Sequence, residues 1–523
     1  MNNRICLNIA AGVCGLFFAA SSGFTQGTLT PSGPPSSTMR TLLQIEPRTP
    51  ISSLPFTITN SGSYFLTTNL TGASGLNGIT VSANNVALDL RGFTLTGVPG
   101  SQNGIFVNTN NNYSNLTVQN GTMNGWGSVG INADTLTGGG FSDLSLVNNG
   151  SDGLDSGHSA QVRHCLANQN EGTGFGGNAD YDCLFESCTA NLNSGGGFES
   201  YDRCQFLSCE ANGNGGDGFN PFPNCTFRDC NASVNGFDGL DTPYAGCVVV
   251  NCVCNNNGVH GINAGDNCTV RSSSATSNGD NGIITGNHCV IESCTASLNT
   301  GSGINTSNYC TLTGCTANSN QQDNVVTSFG CALSQCAAGG SGTGSGFALG
   351  SGNNITASSA FGNNLHGINA GDRTTVLSCT ATLNGTAGIH TAYLGNVQQC
   401  SCFNNGVYGI LSDAMGYASI LQNNCSFNGL LTFSGFPSQG AGIYITNSPA
   451  CRIEGNTLNL NYVAVVVATN SHAFIVRNSA QGNISTSYSL GTGNSWGPIV
   501  NVSGVGDISG TANSDQPDAN FIH

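Results

Sequence analysis

The stretch Cys225-Thr226-Phe227-Arg228-Asp229-Cys230-Asn231-Ala232-Ser233-Val234-Asn235-Gly236-Phe237-Asp238-Gly239-Leu240-Asp241-Thr242 is one unit of a repeat. Its first cysteine recurs at Cys183, Cys204, Cys225, Cys247, Cys268, Cys289, Cys310 and Cys331, at spacings of 21, 21, 22, 21, 21, 21 and 21 residues. Five residues behind runs a second series, Cys188, Cys209, Cys230, Cys252, Ser273, Cys294, Cys315 and Cys336. Asn193, Asn214, Asn235, Asn257, Asn278, Asn299 and Asn320 form a third, each followed five residues later by an apolar residue such as Phe198, Leu240 or Ile304. Within a unit, three short runs alternate with period two and are separated by Gly or Asn, which is the pattern of strands and turns. Strands of three to five residues cannot bury an apolar face alone, so the units must stack, each strand pairing in parallel with its copy in the next coil. The pattern predicts an all-β fold, a single-stranded parallel β-helix of about 21 residues per coil.

The same markers loosen upstream, at Asn149 to Leu154 and Asn170 to Phe175, and downstream, at Asn363 to Ile368, Asn384 to Ile389 and Gly442-Ile443. From about residue 55 to 485 this gives on the order of 18 to 20 coils, roughly 90 Å at a strand spacing of ~4.8 Å. Gly62 to Leu66, Gly78 to Ser82 and Val86 to Gly97 alternate well without cysteines. On these runs and the Asn-x-x-x-Gly-Ile coils, the chain resembles the right-handed parallel β-helix repeat proteins of the pectin-lyase-like superfamily. The resemblance implies right-handed winding and spans about 430 residues. It is specific for fold and not for activity.

Composition narrows the classes. The chain has 523 residues, 75 of them Gly, and 7% charged residues, too few for coiled coils or charge-laced helical bundles. All 11 basic residues are Arg and the net charge is −16, which argues against nucleic acid, anionic membranes and strongly acidic polymers as partners. Arg4 and the apolar run Ile9 to Ala20 read as a secretory signal over 1–24, too short to span a bilayer. A Pro/Ser-rich linker over 25–50, the β-helix over 51–485 and a cap or surface arm over 486–523 complete the organisation. The expected location is secreted or cell-surface, extracellular or periplasmic, with no transmembrane segment in the mature chain.

The repeated cysteines admit two readings: reduced, buried thiols acting as small apolar wedges, or several disulfides within and between coils. Ser273 in a cysteine rung favours the first. The Asn series reads as a turn residue tolerant of left-handed backbone geometry whose amides bond copy to copy.

For chemistry, the residue after the apolar anchor faces outward. That strip reads Asp155, Gly176, Glu199, Asn220, Asp241, Asn263, Ile284 and Asn305. By the resemblance, carbohydrate-active β-helices hold substrate beside this type of strand. Asp155, Glu199, Asn220, Asp241, Asn263 and Asn305 are therefore the candidate binding groove. Carboxylates two coils apart would be ~10 Å from one another, beyond the ~9.5 Å limit of an inverting glycosidase pair. His260 and His366 read as turn histidines. No convergent acid/base set, metal ligand set or cofactor motif emerges. The sequence thus leads to a non-catalytic structural or surface module with a neutral polysaccharide or cell-surface glycan as partner. Its alternative is a polysaccharide lyase or glycoside hydrolase working along the Asp155–Asn305 strip, and only the lyase version calls for calcium.

Overall fold

The computed structural model describes residues 47–177, 181–413, 416–430, 440–502, 504 and 507–523. The expected signal segment, and all of the linker before residue 47, lie outside the described residues. Arg48–His523 forms one unit, without a helix among the described residues.

Each coil contributes strands to three parallel ladders, as the right-handed β-helix reading requires. Thr226–Arg228 pairs with Gln205–Leu207 and Val248–Val250. Asn231–Ser233 pairs with Glu210–Asn212 and Val253–Asn255. Leu240–Thr242 lies between Phe219–Pro221 and Ile262–Ala264. The third ladder contains 20 strands, Phe56–Ile58 to Thr486–Leu490, about 90 Å of stacking at ~4.8 Å per strand.

Corners come from single residues in the left-handed region. Asn224, Asp229 and Val234 have φ of 60°, 56° and 61°, and each precedes a rung residue: Cys225, Cys230 and Asn235. The left-handed position is therefore the residue before the Asn, not the Asn itself, which corrects the sequence reading. The Asn is needed for its amide. Asn235 Nδ2 donates to Asn257 Oδ1 (3.0 Å) and to the Ala211 carbonyl (3.0 Å), while its Oδ1 accepts from both N–H and Nδ2 of Asn214. The ladder runs from Asn149 to Asn320, passes through Asn324 to Asn363 where Ser341 interrupts the column, and continues.

The thiols are also more than wedges. Cys204 N–H donates to Cys225 Sγ (3.3 Å), and Cys225 Sγ donates to the Tyr201 carbonyl (3.3 Å). Where a column leaves cysteine, another acceptor takes over: Cys252 N–H reaches Ser273 Oγ at 3.1 Å and Cys331 N–H reaches Asn353 Oδ1 at 2.6 Å. All 22 cysteines of the described residues are buried. Burial pushes the Cys254 thiol well above its ordinary range.

Inside, Phe185, Phe206 and Phe227 stack at 5.1 and 4.8 Å, and Phe175, Phe198 and Phe219 at 4.9 and 4.8 Å. The two stacks meet edge to face at 5.6–6.1 Å, an arrangement that aromatic quadrupoles prefer. Nearer the start, Trp126 is buried and donates Nε1–H to the Leu95 carbonyl (3.0 Å). Its ring occupies the space a Cβ would need at Gly72, Gly78 and Gly104. At the other end Asn520–Ile522 returns between Ser479–Gln481 and Ile499–Asn501. Asn520 continues the ladder by accepting from Asn478 N–H and Nδ2 (3.1 and 3.0 Å), so this part of the tail is built into the sheet.

Candidate functional site

Glu199, Asn220, Asp241, Asn263 and Asn305 occupy the middle, outward positions of third-ladder strands, and Asp155 stands in the same column. Asp155 differs from the outward reading, since it is only 4% exposed and takes a hydrogen bond from Asn132 Nδ2 (3.1 Å). Burial, with Asp152 and Asp134 nearby, holds its carboxyl well above the usual carboxylate range. Asn305 stands in register between Ile284 and Val326, three rungs from Asp241.

A second row lies two residues before the apolar anchor, where the coils carry Asp152, Asp217, Asp238, His260 and Asn281. The acids here cap the next coil: Asp217 Oδ1 accepts Asp238 N–H (2.8 Å) and Asp238 Oδ1 accepts His260 N–H (2.7 Å). That explains the residue type structurally. It also fixes the second oxygens beside the outward strip. Asp217, Asp238 and Asp241 offer carboxylate oxygens all within 4.8 Å of one another, so the ~10 Å spacing expected from a single row does not describe the site. Asn263 Nδ2 bridges Asp241 Oδ1 (2.9 Å) and Asp238 Oδ2 (3.3 Å), and Asn220 Nδ2 donates to Asp217 Oδ2 (3.3 Å). Burial and the charges of Asp238 and Asp217 push Asp241 up to about 7. Burial, with Asp152 and Asp217, raises Glu199 as well. Among the described residues this trio is the one acidic, Cys or His group whose atoms could hold a metal ion together, with the all-oxygen character a hard cation prefers.

Beside the strip, where each coil turns toward its first cysteine, aromatic rings stack outward. His158, Tyr181, Tyr201, Phe222 and Tyr244 follow one another at 5.4, 4.8, 4.6 and 4.7 Å. The next two coils carry Gly265 and Gly286 in the column of Tyr244, and there a cleft of about 510 Å³ opens, lined by Tyr244, Asn263, Asp266 and Ile284 among others.

Farther along the same ladder lies a different group. His390 is held at 2.7 Å from both Asn369 Oδ1 and Asp413 Oδ1, and stacks on His366 at 5.1 Å. Burial, reinforced by His390, pushes His366 down to about 4. Tyr408 and Tyr444 stack at 4.7 Å. The register from Asp241 through Asn305 and Asn369 to His390 is seven rungs, roughly 34 Å, so the two groups cannot act on one bond.

Sequence reasoning missed Asp217, Asp238 and Tyr244. Their signals were the repeated Asp-Gly-apolar triplets Asp152-Gly153-Leu154, Asp217-Gly218-Phe219 and Asp238-Gly239-Leu240, and an aromatic residue three before the cysteine at Tyr201, Phe222 and Tyr244. His390 stands in the outward column itself, in register between Asn369 and Leu411 and beyond the Asn305 end of the strip as read from sequence, while Asp413 lies just past the Tyr408–Ser412 strand.

No protein-family model matches the sequence, and neither does a curated relative. Among solved structures, the A-module of the Azotobacter vinelandii mannuronan C-5 epimerase AlgE6 is similar at 13% identity and a TM-score of 0.25, over 84% of this chain and 91% of that one. The PL6 family alginate lyase AlyGC is similar at 10% identity and a TM-score of 0.20, over 88% and 97%. A bacteriophage CBA120 tailspike protein is similar at 14% identity and a TM-score of 0.20, over 79% and 56%.

Proposed function

We propose that the protein binds a neutral polysaccharide along the third-ladder face and hydrolyses it at Asp217, Asp238 and Asp241. The reading rests on one observation, three carboxylates converging within 4.8 Å with the central acid, Asp241, pushed up to about 7. A carboxyl still protonated near neutrality is a proton donor, and an adjacent carboxylate locked by a backbone N–H is its complement. Asp241 passes its proton to the bridging oxygen as the C–O bond breaks. Asp217, more open than the buried Asp238, attacks the sugar carbon to form an ester. Water then cleaves that ester and returns a proton to Asp241. One oxygen of each acid lies within 4.8 Å of the others, which is short of the ~6.5–9.5 Å carboxyl separation that accommodates a water and favours the retaining arrangement. Products are therefore expected to keep the substrate's anomeric configuration.

Elimination from a uronan fits less well, since it needs a base beside the sugar carboxylate. Arg163, Arg203 and Arg271 pair with Glu186, Asp182 and Glu292 on or beside first-run strands, away from the third-ladder strip. Secretion or display at a cell surface accords with a polymeric substrate, and no helix of the described residues is long and apolar enough to cross a membrane. The test is incubation with a panel of neutral and uronic-acid polysaccharides. New reducing ends are expected from a neutral polymer, falling about 10²- to 10⁴-fold in the Asp241→Asn protein. Absence of cleavage, or unsaturated uronate absorbance instead, overturns the reading.

A further inference from the structure

The aromatic column beside the acidic strip changes character at Tyr244. From Tyr181 to Phe222 each ring has a ring on both sides at 4.6–5.4 Å, so these rings show a ligand only their edges. Tyr244 stacks on Phe222 through one face alone. The coil after it has Gly265, whose added Cβ would lie 2.4 Å from the Pro243 carbonyl oxygen and 2.6 Å from that of Tyr244. At Gly286 the same atom would fall 2.7 Å from the Asp266 backbone nitrogen. The close approach of successive turns therefore excludes any side chain, and with it any further ring. Tyr244 is 41% exposed as a result, and its free face forms a wall of the cleft of about 510 Å³.

The rest of the cleft is rich in acceptors and poor in donors. Asn263 spends its Nδ2 on Asp241 and Asp238, leaving Oδ1. Asp266 Oδ1 accepts Asn287 N–H (2.6 Å) and Nδ2 (3.1 Å), leaving Oδ2. No Arg lines the cleft. A ligand suited to this lining presents an apolar ring face on one side and hydroxyl donors around its rim, and carries no carboxylate to be repelled by Asp266. We infer that the Tyr244 cleft is a subsite for one uncharged pyranose ring, whose C–H face lies on the Tyr244 ring and whose hydroxyls donate to Asn263 and Asp266. It rests on the hydrolytic reading only in being placed one coil beyond Asp241, and it deepens that reading by specifying a neutral sugar next to the reactive acid.

Cello-, xylo-, manno- and galacto-hexasaccharides serve as probes against oligogalacturonate and oligomannuronate, with binding read by calorimetry. At least one neutral probe is expected to bind about tenfold or more tightly than either uronate. Tyr244→Ala is expected to weaken that binding about tenfold, a change of ~1.4 kcal/mol. Tyr244→Trp is expected to retain it and to report it, its indole fluorescence shifting on addition of the neutral probe while circular dichroism stays unchanged. Two results overturn the subsite: a uronate that binds as tightly as the best neutral probe, or a neutral probe whose affinity and KM are untouched in Tyr244→Ala. If the binding pattern holds and no polymer is cleaved, hydrolysis falls and the subsite stands. If cleavage occurs but Tyr244 does not matter, the reverse is true.

Discussion

Asn235 and Asp241 lie six residues apart on one coil, yet their columns obey different rules. From Asn149 to Asn320 the buried column is Asn at every rung, because each amide bonds to the identical amide above and below. The outward column reads Asp155, Gly176, Glu199, Asn220, Asp241, Asn263, Ile284, Asn305, because its outer side does not bond to a copy of itself. In a solenoid a column that bonds to itself must repeat, and one that faces something else need not. Irregularity on a regular scaffold is thus where the proposed recognition is placed, and repetition is where stability resides.

The contrast is tested most severely at the buried column. Asn235→Ala removes the acceptor of Asn214 N–H and Nδ2 and the donor to the Ala211 carbonyl, all buried. Each buried group left unpaired costs about 1–3 kcal/mol, so a loss of at least ~3 kcal/mol is expected by denaturant unfolding. Asn220→Ala, on the outward column, is expected to cost under ~1 kcal/mol. Equal losses at the two positions would break the distinction.

The cysteine columns sharpen it. Cys225 Sγ accepts Cys204 N–H, and a rung that needs an acceptor and not a sulfur should tolerate Cys225→Ser within about 1 kcal/mol, as Ser273 and Ser358 already serve Cys252 N–H and Cys336 N–H (both 3.1 Å). Cys225→Val keeps the size and loses the bonds, and is expected to cost about 1–3 kcal/mol. Alkylation in denaturant without reductant should label the 22 cysteines of the described part of the chain. A markedly lower count would assign these columns to disulfides instead.

Most of this architecture was legible beforehand, for a physical reason. Columns that bond to their own copies print a strict period on the sequence, so Cys225, Cys230, Asn235 and Leu240 could be read without coordinates. Asp238 could not. Its role as a cap for His260 N–H and its approach to Asp241 arise from two different periodic columns converging at a corner, and spacing within one column carries no information about another. Tyr244 was hidden in a similar way. What distinguishes it from Tyr201 and Phe222 is the glycine that follows one coil later.

On the outward face the acid trio gives a pH signature. Asp241 must hold its proton to act, so cleavage should fall as pH rises through about 7. Asp238→Asn removes the larger of the two like charges that raise Asp241 and leaves the nucleophile in place, so its activity should lose the alkaline limb at lower pH, by up to about one unit, the scale of ~1.4 kcal/mol. The stability sign is the opposite of a salt-bridged acid. The folded state holds the Asp241 proton that the unfolded chain releases near 3.8, so this site's contribution declines as pH climbs from about 4 toward 7 and is level above it. An alkaline limb that stays in place in Asp238→Asn would detach the trio from the chemistry.

The smallest effect concerns the corner that introduces the Asn column. Val234 sits in the left-handed region at φ 61° and is 62% exposed, an arrangement that is unfavourable for a β-branched residue by roughly 1–2 kcal/mol. The coils on either side place Gly213 (φ 68°) and Asn256 (φ 56°) at this corner, so the backbone geometry is imposed by the column and only the side chain varies. Val234→Asn should therefore stabilise the chain by about 1 kcal/mol and raise the thermal midpoint, while leaving sugar binding at Tyr244 unchanged. A neutral or destabilising result would mean that Val234 is held by contacts on its exposed side, and that this corner belongs with the face that recognises something and not with the column that repeats.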